Sequence, residues 1–124
     1  MRLESLVGGA TEVVGPETCL ADAAALMLDR DVSAVAVVAD REMVGILTDR
    51  DLTRALAEAD DASGEMVQDW MSEAPDVMAP DVRVAEAAQW MLEAGYRHLP
   101  VMTADELLGI VDVRDLLWAL TNGS

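Results

Sequence analysis

Thr48 and Asp51 stand three residues apart where a Val-rich apolar run gives way to a helical pattern, in Gly45-Ile46-Leu47-Thr48-Asp49-Arg50-Asp51-Leu52. A hydroxyl residue followed at the third place by a carboxylate is the pattern of a capping box: Thr48 accepts an amide of the first turn and Asp51 reaches back. The charge also suits the positive end of the helix dipole. A second pair, Asp112 and Asp115, lies 64 positions on, with a carboxylate where the first pair has a hydroxyl. Asp112 would cap its helix well but would repel an anion. Each pair encloses an arginine, Arg50 or Arg114, free to swing toward an anion or to lie solvated along the helix. Arg97 carries the planar fork that binds phosphate bidentately, and in so acidic a chain it is as well suited to pair with a neighbouring carboxylate. His98, the one histidine, reads as a half-buried strand residue. Without further His, Cys or Glu at ligand spacing, no metal site is expected. A nucleophile with its base, a Gly-rich phosphate loop and paired buried carboxylates with a base are all missing from the pattern, so no catalytic residues are assigned and the chain reads as a non-enzyme.

The elements that must position these residues occur twice. Gly45 to Leu52 falls on Gly109 to Leu116 at an offset of 64, and Ala23-Ala24, Met27-Leu28, Val37, Glu42 and Ala55-Leu56 meet identical residues at the same offset, with no gap between Thr18 and Leu56. That period is too long for the usual solenoid repeats. Leu20, Ala23, Ala24, Met27 and Leu28 follow helical spacing, as do Val84, Ala87, Ala88, Met91 and Leu92, with Asp31 and Gly95 at the exits. Strands are expected at Ala34 to Ala39, Met43 to Leu47, His98 to Met102 and Leu107 to Val111. Helices should follow over Asp49 to Glu58 and Val113 to Leu120. Pro16 and Pro80 hold the approach to each first helix extended. Polar residues from Ala59 to Gly64 join the copies, giving repeats at 1–60 and 67–124 with a linker at 61–66. Each copy is near the size where a lone core is marginal, so the two are expected to share one core and to leave paired clefts between them.

Composition sets the surroundings. Hydrophobic residues make up 52% of the chain and Phe is absent, so the core is built from Ala, Val, Leu and Met. There are 24 acidic residues against 8 basic ones, every one Arg, for a net charge of −16. That charge makes nucleic acid and anionic membranes poor partners. Apolar periodicity argues against disorder, and the surface reads as one adapted to very high salt, as in a halophilic archaeon. Cys19 is alone, so no internal disulfide forms. No signal peptide and no apolar run of about 18 residues appear, and a cytoplasmic protein is expected. Trp90 (matched by Leu26 in the first copy) and Trp118 project from helices apolar over much of their circumference. Such helices suit a homodimer interface or the cover of the module's own core.

The order Pro, helix, strand, strand, Gly-Ile-Leu-Thr-x-Arg-Asp-Leu, helix resembles a cystathionine-β-synthase (CBS) domain. The tandem pair, over about residues 3 to 121, resembles a Bateman module. Val67-Gln68-Asp69-Trp70-Met71 opens the second copy, and Gly95-Tyr96-Arg97-His98-Leu99-Pro100-Val101 and Gly109 to Leu116 carry it strongly. The resemblance implies an α/β fold (α+β in some schemes) of two pseudo-symmetric β-α-β-β-α repeats packed face to face. It implies a regulatory role: an adenosine-containing ligand (AMP, ADP, ATP or S-adenosylmethionine) in the inter-repeat cleft, with no cofactor required. Asp51, and Asp115 in the second copy, would accept the ribose hydroxyls; Thr48 and free amides at the helix start would face phosphate, with Asp49, Arg50, Asp112 and Arg114 close by. Arg97 and His98 would reach phosphate from across the cleft, and Val35, Val37 and Pro100 would border the ligand. It also implies a homodimer through Leu26, Trp90 and Trp118, acting on a protein partner that the residues do not name.

Two functions stay open on these residues, a ligand sensor and a ligand-free dimerisation scaffold. Thr48 and Asp51 favour the first, whereas Asp112 and the Ser33-Ala34 that replaces a basic pair in the first copy favour the second. The charge makes its own prediction. Self-repulsion grows as the Debye length lengthens from about 3 Å in molar salt to about 30 Å at 0.01 M, so the melting temperature followed by circular dichroism should rise steadily along a KCl series. A flat profile would rule out the salt-adapted reading.

Overall fold

The computed structural model describes residues 1–8, 11–73 and 75–122. Among these, four helices and two sheets form, and the chain divides into a first unit, Glu12–Pro75, and a second, Met1–Thr11 with Asp76–Ser124. In the first unit, β1 (Val13–Val14) precedes α1 (Leu20–Arg30), β2 (Ala34–Ala39), β3 (Glu42–Thr48) and α2 (Asp49–Glu58), and β4 (Ser72–Glu73) closes it. The sheet order is β1-β2-β3-β4, with β1 parallel to β2 and the other pairs antiparallel. The second unit holds α3 (Val84–Ala94), the antiparallel hairpin β5 (His98–Met102) with β6 (Leu107–Asp112), and α4 (Val113–Asn122). Met78 makes a parallel bridge to Val101, in the place that Val14 takes beside Val37. The two-residue strand β1 stands where the resemblance implies the opening strand of the first repeat, whereas β4 is too short for any alternation to show in the sequence.

Local chemistry explains the element ends. Asp31 and Gly95 both adopt left-handed backbone (φ 53° and 79°) and close α1 and α3 as expected of helix exits. The β2–β3 turn places Asp40 and Arg41 at φ 51° and 69°, the two-residue hairpin geometry whose twist matches the strands. Even the β-bulge repeats, between Val37 and Val38 and again between Val101 and Met102.

Each core draws on a segment from the far side of the linker. The first unit buries Leu20, Ala23, Met27, Val35, Val37, Leu47, Ala55 and Val67. The second buries Val84, Ala87, Met91, Leu99, Val101, Val111 and Ala119, each 64 positions after its counterpart, together with Leu116 and with Leu3, which lies 64 before Val67. Val67 begins the second copy in sequence, yet it packs in the first unit; Leu3 begins the first copy, yet it packs in the second. Both sit at the start of a 3-10 turn, Val67–Asp69 or Leu3–Ser5. The backbone docking is the same in each: Val67 N–H donates to the Thr18 carbonyl at 2.8 Å and Leu3 N–H to that of Val82 at 2.9 Å. These two segments, the arm at Glu65–Glu73 and its counterpart at Met1–Val7, also cap helices that have no side-chain cap, since Leu20 N–H donates to the Glu65 carbonyl and Val84 N–H to that of Met1.

Close approach of the arm explains a matched pair of glycines. A Cβ on Gly45 would lie 2.6 Å from Met71 Sδ and 2.7 Å from the backbone carbonyl of Ser72, and one on Gly109 would lie 2.9 Å from Val7 Cγ1. Gly45→Ala should therefore lower stability by about 1–3 kcal/mol, as overpacking does, read from the urea midpoint. Adding Met71→Ala should not restore it, because the Ser72 carbonyl remains in the way. Gly109→Ala, which meets Val7 Cγ1 at 2.9 Å and Cβ at 3.0 Å but no backbone carbonyl, should cost somewhat less.

Candidate functional site

Thr48 ends β3 in extended conformation (φ −118°, ψ 167°) and begins α2. The expected capping box is complete. Thr48 N–H and its hydroxyl donate to Asp51 Oδ2 at 2.9 and 3.1 Å, and Asp51 N–H donates to Thr48 Oγ1 at 3.3 Å. Asp51 is only 8% exposed, the one buried charged side chain among the described residues. A carboxylate in such a place needs partners, and Oδ1 has Arg54 Nη2 at 3.4 Å. Arg54 also donates to the Trp70 carbonyl at 3.0 Å, which brings the arm to the edge of the carboxylate. Arg54 was missed in the sequence, although its place three residues after Asp51 on a helix is the spacing of an ion pair.

Free amides at the helix start are not found. Asp49 N–H donates to the Ser33 carbonyl at 3.0 Å, and Arg50 N–H to the Asp49 carboxylate at 2.9 Å. With Thr48 and Asp51 occupied by each other, the first turn offers an anion no vacant donor. The cause is local: Ser33, just before β2, supplies a carbonyl beside the junction, and the short Asp49 side chain folds onto the next amide. Val35 and Val37, expected to border a ligand, are fully buried on the inward face of β2. Pro100 is fully buried in β5 as well, so all three side chains serve packing. Arg50 is exposed.

The second unit repeats the junction with altered chemistry. Asp112 N–H donates to Asp115 Oδ2 at 2.9 Å and Asp115 N–H to Asp112 Oδ1 at 3.0 Å, a capping box made of two carboxylates. Arg114 lies 3.9 Å from Asp112 on a solvated side chain, a pair worth little. Val113 N–H donates to the Arg97 carbonyl at 3.1 Å, the counterpart of Asp49 with Ser33. The Arg97 side chain is exposed, and half-buried His98 sits in register opposite Asp112. Leu26 packs against the first core; Trp90 packs against the second and stacks on Tyr96 at 5.4 Å between centroids. Those two cover their own cores, whereas Trp118 is 57% exposed. Among the described residues no cluster of three or more His, Cys, Asp or Glu could hold a metal ion, and no helix is long and apolar enough to cross a membrane.

The family model described as "CBS domain" matches residues 12–58 and again 67–122. The chain is 34% identical over 110 residues to the "uncharacterized 17.7 kDa protein in bps2 3'region" of Acidianus ambivalens, covering 87% of this chain and 66% of that protein, so it spans just under two thirds of its relative's length. Among solved structures, a protein with CBS domains from Burkholderia ambifaria superposes with a TM-score of 0.92 over 100% of this chain and 97% of its own, at 23% identity, a likeness of fold. CBSX2, solved in complex with AMP, is 27% identical with a TM-score of 0.81, over 97% of this chain and 96% of its own.

One titration can be predicted beside Arg97. Asp76 raises the pKa of the Tyr96 phenol above the ordinary 10.0, first by hydrogen bonding to the neutral form and then by repelling tyrosinate, with burial the smallest cause. The folded state thus favours the neutral phenol; the contribution is present below the ordinary value and is lost as pH rises through the raised one. Tyr96 is the only tyrosine. Its ultraviolet titration should have a midpoint above 10.0 that falls back in Asp76→Asn. An unchanged midpoint in the variant would contradict the assignment.

Proposed function

The chain belongs to the CBS-domain family, which it carries twice, and from that premise we propose that it is a regulatory module that takes an adenosine-containing ligand at Asp51. The observation that carries this is the buried Asp51 carboxylate, whose Oδ2 is saturated while Oδ1 keeps a single long contact. A ribose presents two adjacent hydroxyl donors, and an anionic acceptor held rigid by its own helix cap is suited to them. The AMP bound by CBSX2 supports this ligand class. The first unit is favoured over the second, where Asp112 puts a second negative charge in the place of the Thr48 hydroxyl. Since the first-turn amides are engaged, the adenosine moiety rather than its phosphate supplies most of the recognition there. Binding would regulate a partner by the ligand's differential affinity for two states of the assembly.

A ligand-free dimerisation scaffold is the second reading. It is favoured by apolar side chains left in solvent on helices, Leu28 at 85%, Leu92 at 81% and Trp118 at 57% exposure. A homodimer through such side chains is compatible with the first reading.

A thermal-shift panel of AMP, ADP, ATP and S-adenosylmethionine in molar KCl, followed by calorimetry, separates the two. Asp51→Asn keeps a capping side chain but removes the anion. It should fold, and should lose a charge-assisted bond of about 1.5–3 kcal/mol, roughly ten- to hundred-fold in affinity. Equal affinity in both proteins would place the ligand elsewhere, and no heat with any of the four would favour the scaffold.

A further inference from the structure

A chain of polar contacts runs through the first unit from the candidate ribose acceptor to the arm. Charge-assisted bonds are about 2.7–2.9 Å long when well made, so the 3.4 Å contact from Arg54 Nη2 to Asp51 Oδ1 is open to exchange. The same Nη2 donates at 3.0 Å to the Trp70 carbonyl, and the guanidinium carbon lies 5.0 Å from the centroid of the Trp70 ring. The indole N–H in turn donates to Glu65 Oε1 at 3.1 Å. Arg54 therefore grips the arm by a hydrogen bond and a cation–π contact while it touches Asp51 lightly. The second unit is built otherwise. Trp118 stands 64 residues after Arg54, and Leu6 stands 64 before Trp70, so the link accompanies only the junction that keeps Thr48.

We infer that Arg54 is a positioning residue that ties occupancy of Asp51 to the arm at Glu65–Glu73. The inference rests on the reading of Asp51 as a ribose acceptor. A diol donating to Oδ1 displaces the long contact and leaves Oδ2 and its helix cap intact. The guanidinium, released from one carboxylate, settles on the Trp70 carbonyl and ring, and the surroundings of the indole change with it. Because Val67 fills the core and β4 pairs with Gly45 and Ile46, that change falls on a segment on which the whole unit depends.

The protein has three tryptophans, so Trp90→Phe with Trp118→Phe leaves Trp70 as the sole indole. In that background, emission and acrylamide quenching are followed in molar KCl alongside calorimetry. Without ligand, Asp51→Asn should shift the Trp70 signal, and should add nothing once Arg54→Gln is present. AMP should produce a saturable emission change with the same midpoint as its heat. Arg54→Gln, at a side chain 47% exposed, should fold and still give heat but lose the emission change, and Arg54→Lys should recover part of it through its retained charge. An AMP-dependent signal that survives Arg54→Gln, or a Trp70 signal unmoved by Asp51→Asn, overturns the coupling alone. No heat in the parent from AMP or from any of ADP, ATP and S-adenosylmethionine overturns the ribose reading and the coupling with it, whereas heat with a silent Trp70 overturns only the coupling.

Discussion

Neither unit closes its core without a segment from the other side of the linker, and the rest of the structure depends on that constraint. Val67 and Leu3 each fill the floor of a cluster whose remaining members come from one continuous copy. Burying such a side chain is worth about 1.5–3 kcal/mol, a large share of the stability of so small a unit. The same segments supply carbonyls to helix starts that lack side-chain caps, so that α1 and α3 are completed by residues outside their own copy. Glycine is required at positions 45 and 109 for the same reason: the arm lies where a side chain would stand. Through Trp70 the arm of the first unit also reaches Arg54 and so the Asp51 carboxylate.

Asp51 illustrates how a structural role and a binding role can share one side chain. As a cap, it satisfies the Thr48 amide and gives the helix start the negative charge that the dipole favours. Those duties fall on Oδ2, which holds the carboxylate plane fixed and leaves Oδ1 with one long contact, to Arg54. A ligand that engages Oδ1 need not break the cap. The organisation energy that recognition usually costs has already been met by folding, which is the sense in which the acceptor is preorganised.

Much of this was legible in the sequence. The offset of 64 located both helix pairs, both hairpins and the capping box, because those features depend on local periodicity and on residues three or four apart. The helix exits at Asp31 and Gly95 were likewise visible as turn-forming residues after an apolar stripe. What was hidden depends on contacts made at a distance along the chain. Ser33 removes the Asp49 amide from the site only because β2 runs beside the junction, and no motif records that neighbour. Val35 and Val37 occupy strand positions that a ligand could equally border, and burial alone shows them turned into the core. The exchange of arms was hidden for a similar reason: Val67 to Met71 opens the second copy in sequence order, and an internal repeat reveals its period but not which unit each segment joins.

The duplicated junctions have kept their backbone and changed their charge. Hydrogen bonds from Asp112 and Asp115 match those of Thr48 and Asp51 nearly atom for atom, so the cap itself is insensitive to whether a hydroxyl or a carboxylate stands first. A ligand is not so tolerant. Two carboxylates at one helix start repel any anion brought to them, and the second junction has Arg114 only as a solvated neighbour at 3.9 Å. The first junction carries a single charge, with an arginine fixed against an indole at its side. Fold therefore constrains the acidic residue at Asp51 and Asp115 alike, while the residues that differ, Thr48 against Asp112 and Arg54 against Trp118, are those that bear on what the carboxylate can bind.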